Sequence, residues 1–192
     1  VNYIPCAASS ATVVTPSYST TAYVEVMASD EIGKAVDLFD YKSGDPITMG
    51  DEGVYIDQKL SELLKVSVGD TFFLDGDVRG DVTVAGIYEH YTGHFIYMTP
   101  SYYENALHAD GEPNAYLLNF TSDDTDTCNA IFEKLLDMSG VATTSRMRDT
   151  QDTYTHSMER VDFVVVIIIL AAAALAMVVL FNLSNINLSL IH

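Results

Sequence analysis

The feature that most constrains this chain is an apolar run near its end. Residues 163–181 are 19 consecutive side chains without a charge or a strongly polar group. As an α-helix the run would be about 28 Å long, close to the thickness of a bilayer core. A core helix is usually shorter and amphipathic, and the apolar part of a signal peptide lies at the other terminus. We therefore predict a membrane-spanning helix over residues 163–181, with Phe163, Ile168, Ala173, Met177 and Phe181 along it.

A helix-compatible segment precedes this run. No Pro or Gly interrupts residues 150–181, and Tyr154, Met158 and Asp162 follow one another at intervals of four. A continuous helix over these residues would extend about 48 Å, some 20 Å more than a membrane needs. Residues 150–162 are then either a rigid stalk helix or a frayed linker, and the pattern leaves both open.

The body before the apolar run is strongly acidic. All 27 acidic and all 9 basic residues lie before Phe163, so the formal net charge of −18 belongs to residues 1–162. This charge disfavours nucleic acid and anionic lipid as partners, because both are bound through Lys and Arg. The chain's 12 Tyr and 8 Phe make the body too apolar for a disordered acidic tail. We expect a folded domain over residues 1–149 that binds no nucleic acid.

The body carries strand and helix patterns in an α+β order, with mixed or antiparallel sheets and short helices. Strands are predicted over residues 21–29, 54–56, a hairpin pair within 71–90, 95–98, 114–120 and 141–147. Helices are predicted over residues 57–65, 100–107 and 128–138. The first 20 residues are expected to be loosely structured apart from a short strand over 11–15, and residues 42–53 are expected to form turns.

Two clusters resemble metal sites only in part. His90 and His94 have the spacing of a zinc-binding helix, but Gly93 and a preceding strand remove the helical face that this spacing requires. The acidic stretch with Asp124 and Asp126 lacks the Gly and the bidentate Glu of a calcium loop, and it suits a helix N-terminus better. We predict no metal site and no bound cofactor.

Catalytic motifs are also absent from the sequence. It contains neither a phosphate-binding Gly-x-x-x-x-Gly-Lys loop nor a Gly-x-Ser-x-Gly nucleophile elbow. Glu104 and His108 are predicted to be a surface pair on a helix rather than an acid and a base. Cys6 and Cys128 form either one disulfide or two free thiols. We predict that this chain is not an enzyme and has no catalytic residues.

Three stretches together resemble a known family. They are GVYIDQKLSELLKVSVGDTFFL at 53–74, VAGIYEHYTGHFIYMTPSYYENAL at 84–107, and FNLSNINLS at 181–189, directly after the apolar run. In order and spacing the sequence resembles the FtsX-like permease subunits of ABC transporters, which are related to the MacB-type permeases. The resemblance covers most of the chain from about residue 40 onward.

The resemblance implies a fold, a location and partners. It implies a MacB-like core domain over residues 1–149 outside the cytoplasmic membrane, a stalk helix over 150–162 and a transmembrane helix over 163–181. It also implies a cognate ABC ATPase subunit on the cytoplasmic face, with a second permease copy or an extracytoplasmic protein as further partners. The outer domain would couple ATP hydrolysis in that subunit to export of lipid-linked or peptide cargo, or to activation of outside partners.

The end of the chain departs from the family pattern. The family usually continues with charged residues after the Asn-Ile-Asn-Leu-Ser segment, whereas here Leu190, Ile191 and His192 follow. We therefore expect residues 182–192 to be the start of a truncated cytoplasmic segment. The alternative function is a single-span, membrane-anchored binding or sensor module. An ecto-enzyme is disfavoured, because no catalytic motif supports it.

Overall fold

The structure is a computed structural model that describes residues 2–15, 18–91, 93–119, 125–144 and 164–183. The chain divides into two units, Val1–Asp123 and Asp124–His192. Among the described residues, the first unit contains seven strands and three helices, and the second contains two helices.

The strands of the first unit form one mixed sheet. They are β1 (Asn2–Thr15), β2 (Tyr18–Val26), β3 (Val54–Asp57), β4 (Thr71–Gly76), β5 (Arg79–Tyr88), β6 (Phe95–Met98) and β7 (Ala115–Asn119). The order is β2-β6-β3-β5-β4-β1-β7, and β1 also pairs with β2, so β1 to β6 form a closed ring of pairings. The pairs β2–β6 and β3–β5 are parallel, and the others are antiparallel. Closure gives each of these six strands a partner on both sides.

Strand β1 closes the ring because its segments pair with different partners. Residues 11–14 pair with β2 on one side and β4 on the other, whereas residues 2–6 pair with β7. Ala11 and Val13 point into the core, and Thr12 is exposed. The predicted strand over residues 11–15 lies within β1, whereas the prediction of loose structure is wrong for residues 2–10 and 18–20. Pairing with strands distant in sequence overrides the weak β-propensity of this Ser-, Ala- and Pro-containing segment.

The inner face of the ring is apolar and carries the main core. Its fully buried side chains include Val13, Val24, Val54, Val82 and Ile96. Helices α2 (Gln58–Leu64) and α3 (Pro100–Leu107) add apolar side chains to the same core, namely Leu60, Leu64, Tyr103 and Leu107. Both helices occur where the sequence predicts them.

A second apolar cluster lies on the outer face of the sheet. It consists of Cys6, Met27, Ile32, Leu38, Met49, Tyr55, Tyr88 and Tyr97. Helix α1 (Ser29–Ala35) contributes Ile32, its only buried residue, and one buried side chain leaves little periodic signal from which to predict it. Within the predicted turn region of residues 42–53, Pro46 forms an isolated bridge with Phe39. This cluster covers part of the outer face and leaves the rest of it open.

The second unit contains α4 (Thr125–Leu136) and α5 (Val164–Leu183). Helix α4 begins three residues before the predicted residue 128. The strand predicted over 141–147 is wrong for its described part, because residues 141–144 form no strand and 145–147 lie outside the described residues. The α+β fold class, with one mixed sheet and short helices, is confirmed.

Gly53 provides a test of the packing between β3 and β5. A Cβ at this buried position would lie 2.3 Å from the Thr83 carbonyl oxygen, whereas one at the exposed Gly33 would meet nothing within 4 Å. We expect Gly53→Ala to lower the free energy of unfolding by about 1–3 kcal/mol. The control Gly33→Ala should leave it unchanged or raise it slightly. Thermal unfolding followed by near-UV circular dichroism measures both, and equal stability of the two variants would contradict this packing.

Candidate functional site

Helix α5 is the one described helix that is long and apolar enough to cross a membrane. Its 20 residues would be about 30 Å long. None of them carries a charge, and every one is exposed. The predicted span residues Ile168, Ala173, Met177 and Phe181 lie on it. Phe163 and the predicted stalk residues Tyr154 and Met158 lie outside the described residues.

The exposure of α5 distinguishes it from a core helix. The core helix of a soluble protein of this length would be mostly buried, whereas no part of the apolar stretch of α5 is buried. Side chains such as Ile169 and Leu180 are 60% and 66% exposed. Contiguous apolar surface of this extent is unfavourable in water and marks a membrane or protein contact.

His94 and Asp57 meet where β3 ends. Asp57 is fully buried, and its Oδ1 accepts a hydrogen bond from the backbone N–H of Leu60 at 2.8 Å, which caps α2. His94 Nδ1 lies 3.2 Å from both carboxylate oxygens. The backbone oxygen of His94 also accepts a hydrogen bond from the N–H of Tyr23 at 2.8 Å. The contact therefore fixes the segment before β6 against β2 and α2.

His90 and His94 contact different neighbours. The His90 ring lies edge-on to Phe95 with centroids 5.4 Å apart, whereas His94 contacts Asp57. Within the described ranges, the structure contains no group of three or more His, Cys, Asp or Glu side chains that could hold a metal ion.

The other ionisable residues that the sequence suggested as functional have roles in local structure. His108 ends α3 with a φ of 51°, and its backbone N–H donates to the Glu104 carbonyl oxygen at 3.1 Å. Asp126 lies in the first turn of α4, as its predicted role at a helix N-terminus requires, while Asp124 lies outside the described residues.

Cys6 is buried, and Cys128 is partly buried. Burial raises the pKa of Cys6 to about 12, so this thiol stays protonated at neutral pH and is a poor nucleophile.

A cluster of aromatic rings lies on the outer face of the sheet. Tyr88 and Tyr97 have centroids 5.6 Å apart, and Phe95 is nearly parallel to Tyr97 at 6.3 Å. The Tyr88 hydroxyl donates to the Phe95 carbonyl oxygen at 2.9 Å. Burial raises the pKa of Tyr88 and of Tyr97, so both phenols stay protonated. The cluster packs next to the exposed part of this face.

Glu25 is an ionisable residue of this region that no sequence motif marks. It lies on β2 opposite Ala8 of β1 and Tyr97 of β6, and it is half-buried. It makes no hydrogen bond or ion pair with any residue that the structure describes. Burial raises the pKa of its carboxyl group. The available sequence signal was its position in the alternating strand TAYVEV, on the same face as Tyr23.

No protein-family model and no curated protein matches this chain. Among solved structures, it is similar to the extracellular domain of the noncanonic ABC-type transporter YknZ from Gram-positive bacteria. That match has 17% identity and a TM-score of 0.48, and it covers 66% of this chain and 68% of the other. It is also similar to the periplasmic region of MacB from Actinobacillus actinomycetemcomitans. Here the identity is 16% and the TM-score 0.44, with 83% of this chain and 76% of the other covered.

The first of these is an extracellular domain of a transporter, and the second is a periplasmic region. Neither match establishes the family or the function of this chain, because the identities are 16–17% and both TM-scores are below 0.5.

The isolated carboxylate of Glu25 gives a pH-dependent prediction. Its pKa is raised in the folded state, so its ionisation opposes folding as the pH rises above the ordinary pKa of a glutamate. Cys6, Tyr88 and Tyr97 face it and are uncharged at neutral pH, so none of them compensates its charge. We expect Glu25→Gln to be more stable than the parent protein at pH 7. The difference should disappear below the ordinary glutamate pKa, where both side chains are neutral.

Chemical denaturation from pH 3.5 to pH 8 measures this difference. Glu104→Gln removes an exposed carboxylate from α3, and this control should change the free energy of unfolding by at most about 0.5 kcal/mol. A Glu25→Gln variant that is less stable than the parent at pH 7 would show that the carboxylate has a stabilising partner.

Proposed function

We propose that this chain is the extracytoplasmic domain of an ABC transporter permease subunit, together with the transmembrane helix that follows it. The observation that carries the proposal is α5, an uncharged and fully exposed helix of bilayer length that follows a folded acidic α+β body. The resemblance of three sequence stretches to FtsX-like permeases supports this assignment.

The proposed layout of the subunit is the one that the resemblance to FtsX-like permeases implies. Residues 1–149 form the extracytoplasmic domain, 150–162 the stalk with Tyr154 and Met158, and 163–181 the membrane span, with Phe163 at its start. Residues 182–192 begin the cytoplasmic segment. Residues 1–162 then lie outside the membrane, and the cognate ATPase subunit binds on the opposite face.

The proposed mechanism is mechanical coupling without chemistry in this chain. ATP binding and hydrolysis in the partner subunit move the membrane helices, and the stalk transmits that movement to the outer domain. The closed ring of β1 to β6 moves as a unit, because each strand is hydrogen-bonded on both sides. Its movement then exports lipid-linked or peptide cargo, or activates an extracytoplasmic partner.

Affinity purification of the full-length protein from its host membranes tests this function. We expect an ABC-type ATPase to be recovered in a fixed ratio, as identified by mass spectrometry, and the purified complex to hydrolyse ATP. As a control, Ala173→Arg places a charge near the middle of α5, at a cost of about 2.5–3.5 kcal/mol for membrane insertion. This variant should lose both membrane integration and the ATPase.

Two outcomes would contradict the proposal. A parent protein that stays out of the membrane fraction would exclude the span. A membrane protein that is recovered without any ATPase would instead favour the single-span binding or sensor module.

A further inference from the structure

We propose that the outer face of β2 and β6 binds a basic side chain of a partner polypeptide. The Lys or Arg would lie over the Tyr23–Phe95 ring pair and form an ion pair with Glu25. This inference concerns the body alone, and it does not depend on the transporter role proposed above.

The ring pair is a partly exposed aromatic surface with fixed geometry. Tyr23 and Phe95 lie opposite each other in the parallel pairing of β2 and β6, and their rings stack with centroids 5.2 Å apart. Tyr23 is 56% exposed, although it is a large aromatic side chain. Phe95 is held from behind by the buried ring of Tyr97 and at its edge by His90. An aromatic face fixed in this way can bind a cation with little loss of side-chain entropy.

Glu25 provides the negative charge beside these rings. It follows Tyr23 by two residues on the same strand, so both side chains leave the same face with Cα atoms about 6.6 Å apart. A cation bound to an aromatic ring lies within about 6 Å of the ring centroid. A cation over Tyr23 can therefore also contact the Glu25 carboxylate. Among the described residues, no Lys or Arg already occupies this position.

The carboxylate is unfavourable for folding in its present environment. Its pKa is raised by burial, and no described side chain compensates its charge. A bound ammonium or guanidinium group would supply the missing partner. Residues that oppose folding in this way are concentrated at functional sites.

The charge of the domain also favours a cationic ligand. Residues 2–119 contain 18 acidic side chains and five Lys or Arg. Such an excess attracts cations towards the whole domain and raises their rate of encounter. The uncharged Tyr23–Phe95 ring pair then provides the specific contact for a cation that the negative charge of the domain has attracted.

A polypeptide fits this face better than a small amine does. Beyond Tyr23 the same face continues with exposed, uncharged hydroxyl side chains, namely Ser10, Thr12, Ser19 and Thr21. Strands β1 and β2 place them in two adjacent rows, in which Thr12 is opposite Thr21. Hydroxyl groups can donate hydrogen bonds to a peptide main chain and accept hydrogen bonds from it. An exposed Tyr is typical of protein interfaces.

Binding of a short basic peptide to the full chain in phosphatidylcholine nanodiscs tests the proposal. The probe is Gly-Ser-Arg-Ser-Gly with blocked ends and a neutral dye, and fluorescence anisotropy reports its binding. Tyr23→Ala and Glu25→Gln should each weaken binding about three- to tenfold. Tyr23→Phe keeps the ring and should retain binding, which separates the role of the ring from a folding defect.

Two control variants are matched to these substitutions. Tyr116→Ala removes an exposed ring from β7, and Glu104→Gln removes one carboxylate from α3. Both should bind within about twofold of the parent protein. If the controls weaken binding as much as the site variants do, the peptide is held by net charge only and the proposal is wrong.

Two further probes decide the chemistry of the ligand. A peptide with Gln in place of Arg should not bind, and equal binding of this peptide would exclude a cation site. Spermidine should compete only weakly, and a tighter affinity for spermidine than for the peptide would contradict a polypeptide partner. Absence of saturable binding by the Arg peptide would also overturn the proposal.

Discussion

The pairing of β1 with both β2 and β4 is the constraint on which the body depends. Without the contacts of residues 11–14 on both sides, β2 and β4 would be free edges and the inner core would open to solvent. The closed ring also fixes the outer face, because it places Tyr23 beside Phe95 and Glu25 beside Tyr97. The candidate binding surface is thus a consequence of strand register rather than of any local motif.

Sequence patterns predicted the elements that form through local interactions. Helix α3 has Thr99 as its N-cap and Pro100 at its first position, and the turn between β4 and β5 has an Asp-Gly signal. The N-terminal half of β1 was missed for the opposite reason. Its Ser, Ala and Pro residues have little strand preference, and partners that are distant in sequence determine its conformation.

The contacts of the ionisable residues on the outer face were harder to predict from the sequence than the strands were. His94 could be placed in a loop, but its contact with Asp57 joins residues 37 positions apart. Glu25 occupied an ordinary place in an alternating strand. Its burial and its lack of a partner depend on the parallel pairing of β2 with β6, which no local pattern specifies.

The apolar run was different, since length and composition alone predict a helix, and α5 lies within two residues of the predicted bounds.

In the proposed topology, α5 spans a membrane with the acidic body on the outside. The test uses a variant with the two substitutions Ser101→Cys and Cys128→Ser. Intact cells that carry this variant are treated with a membrane-impermeant maleimide. Position 101 is exposed on α3, and the remaining Cys6 is buried. We expect the protein to be labelled in intact cells and to be recovered with the membranes. Labelling that occurs only after the cells are lysed would place the body inside and contradict this topology.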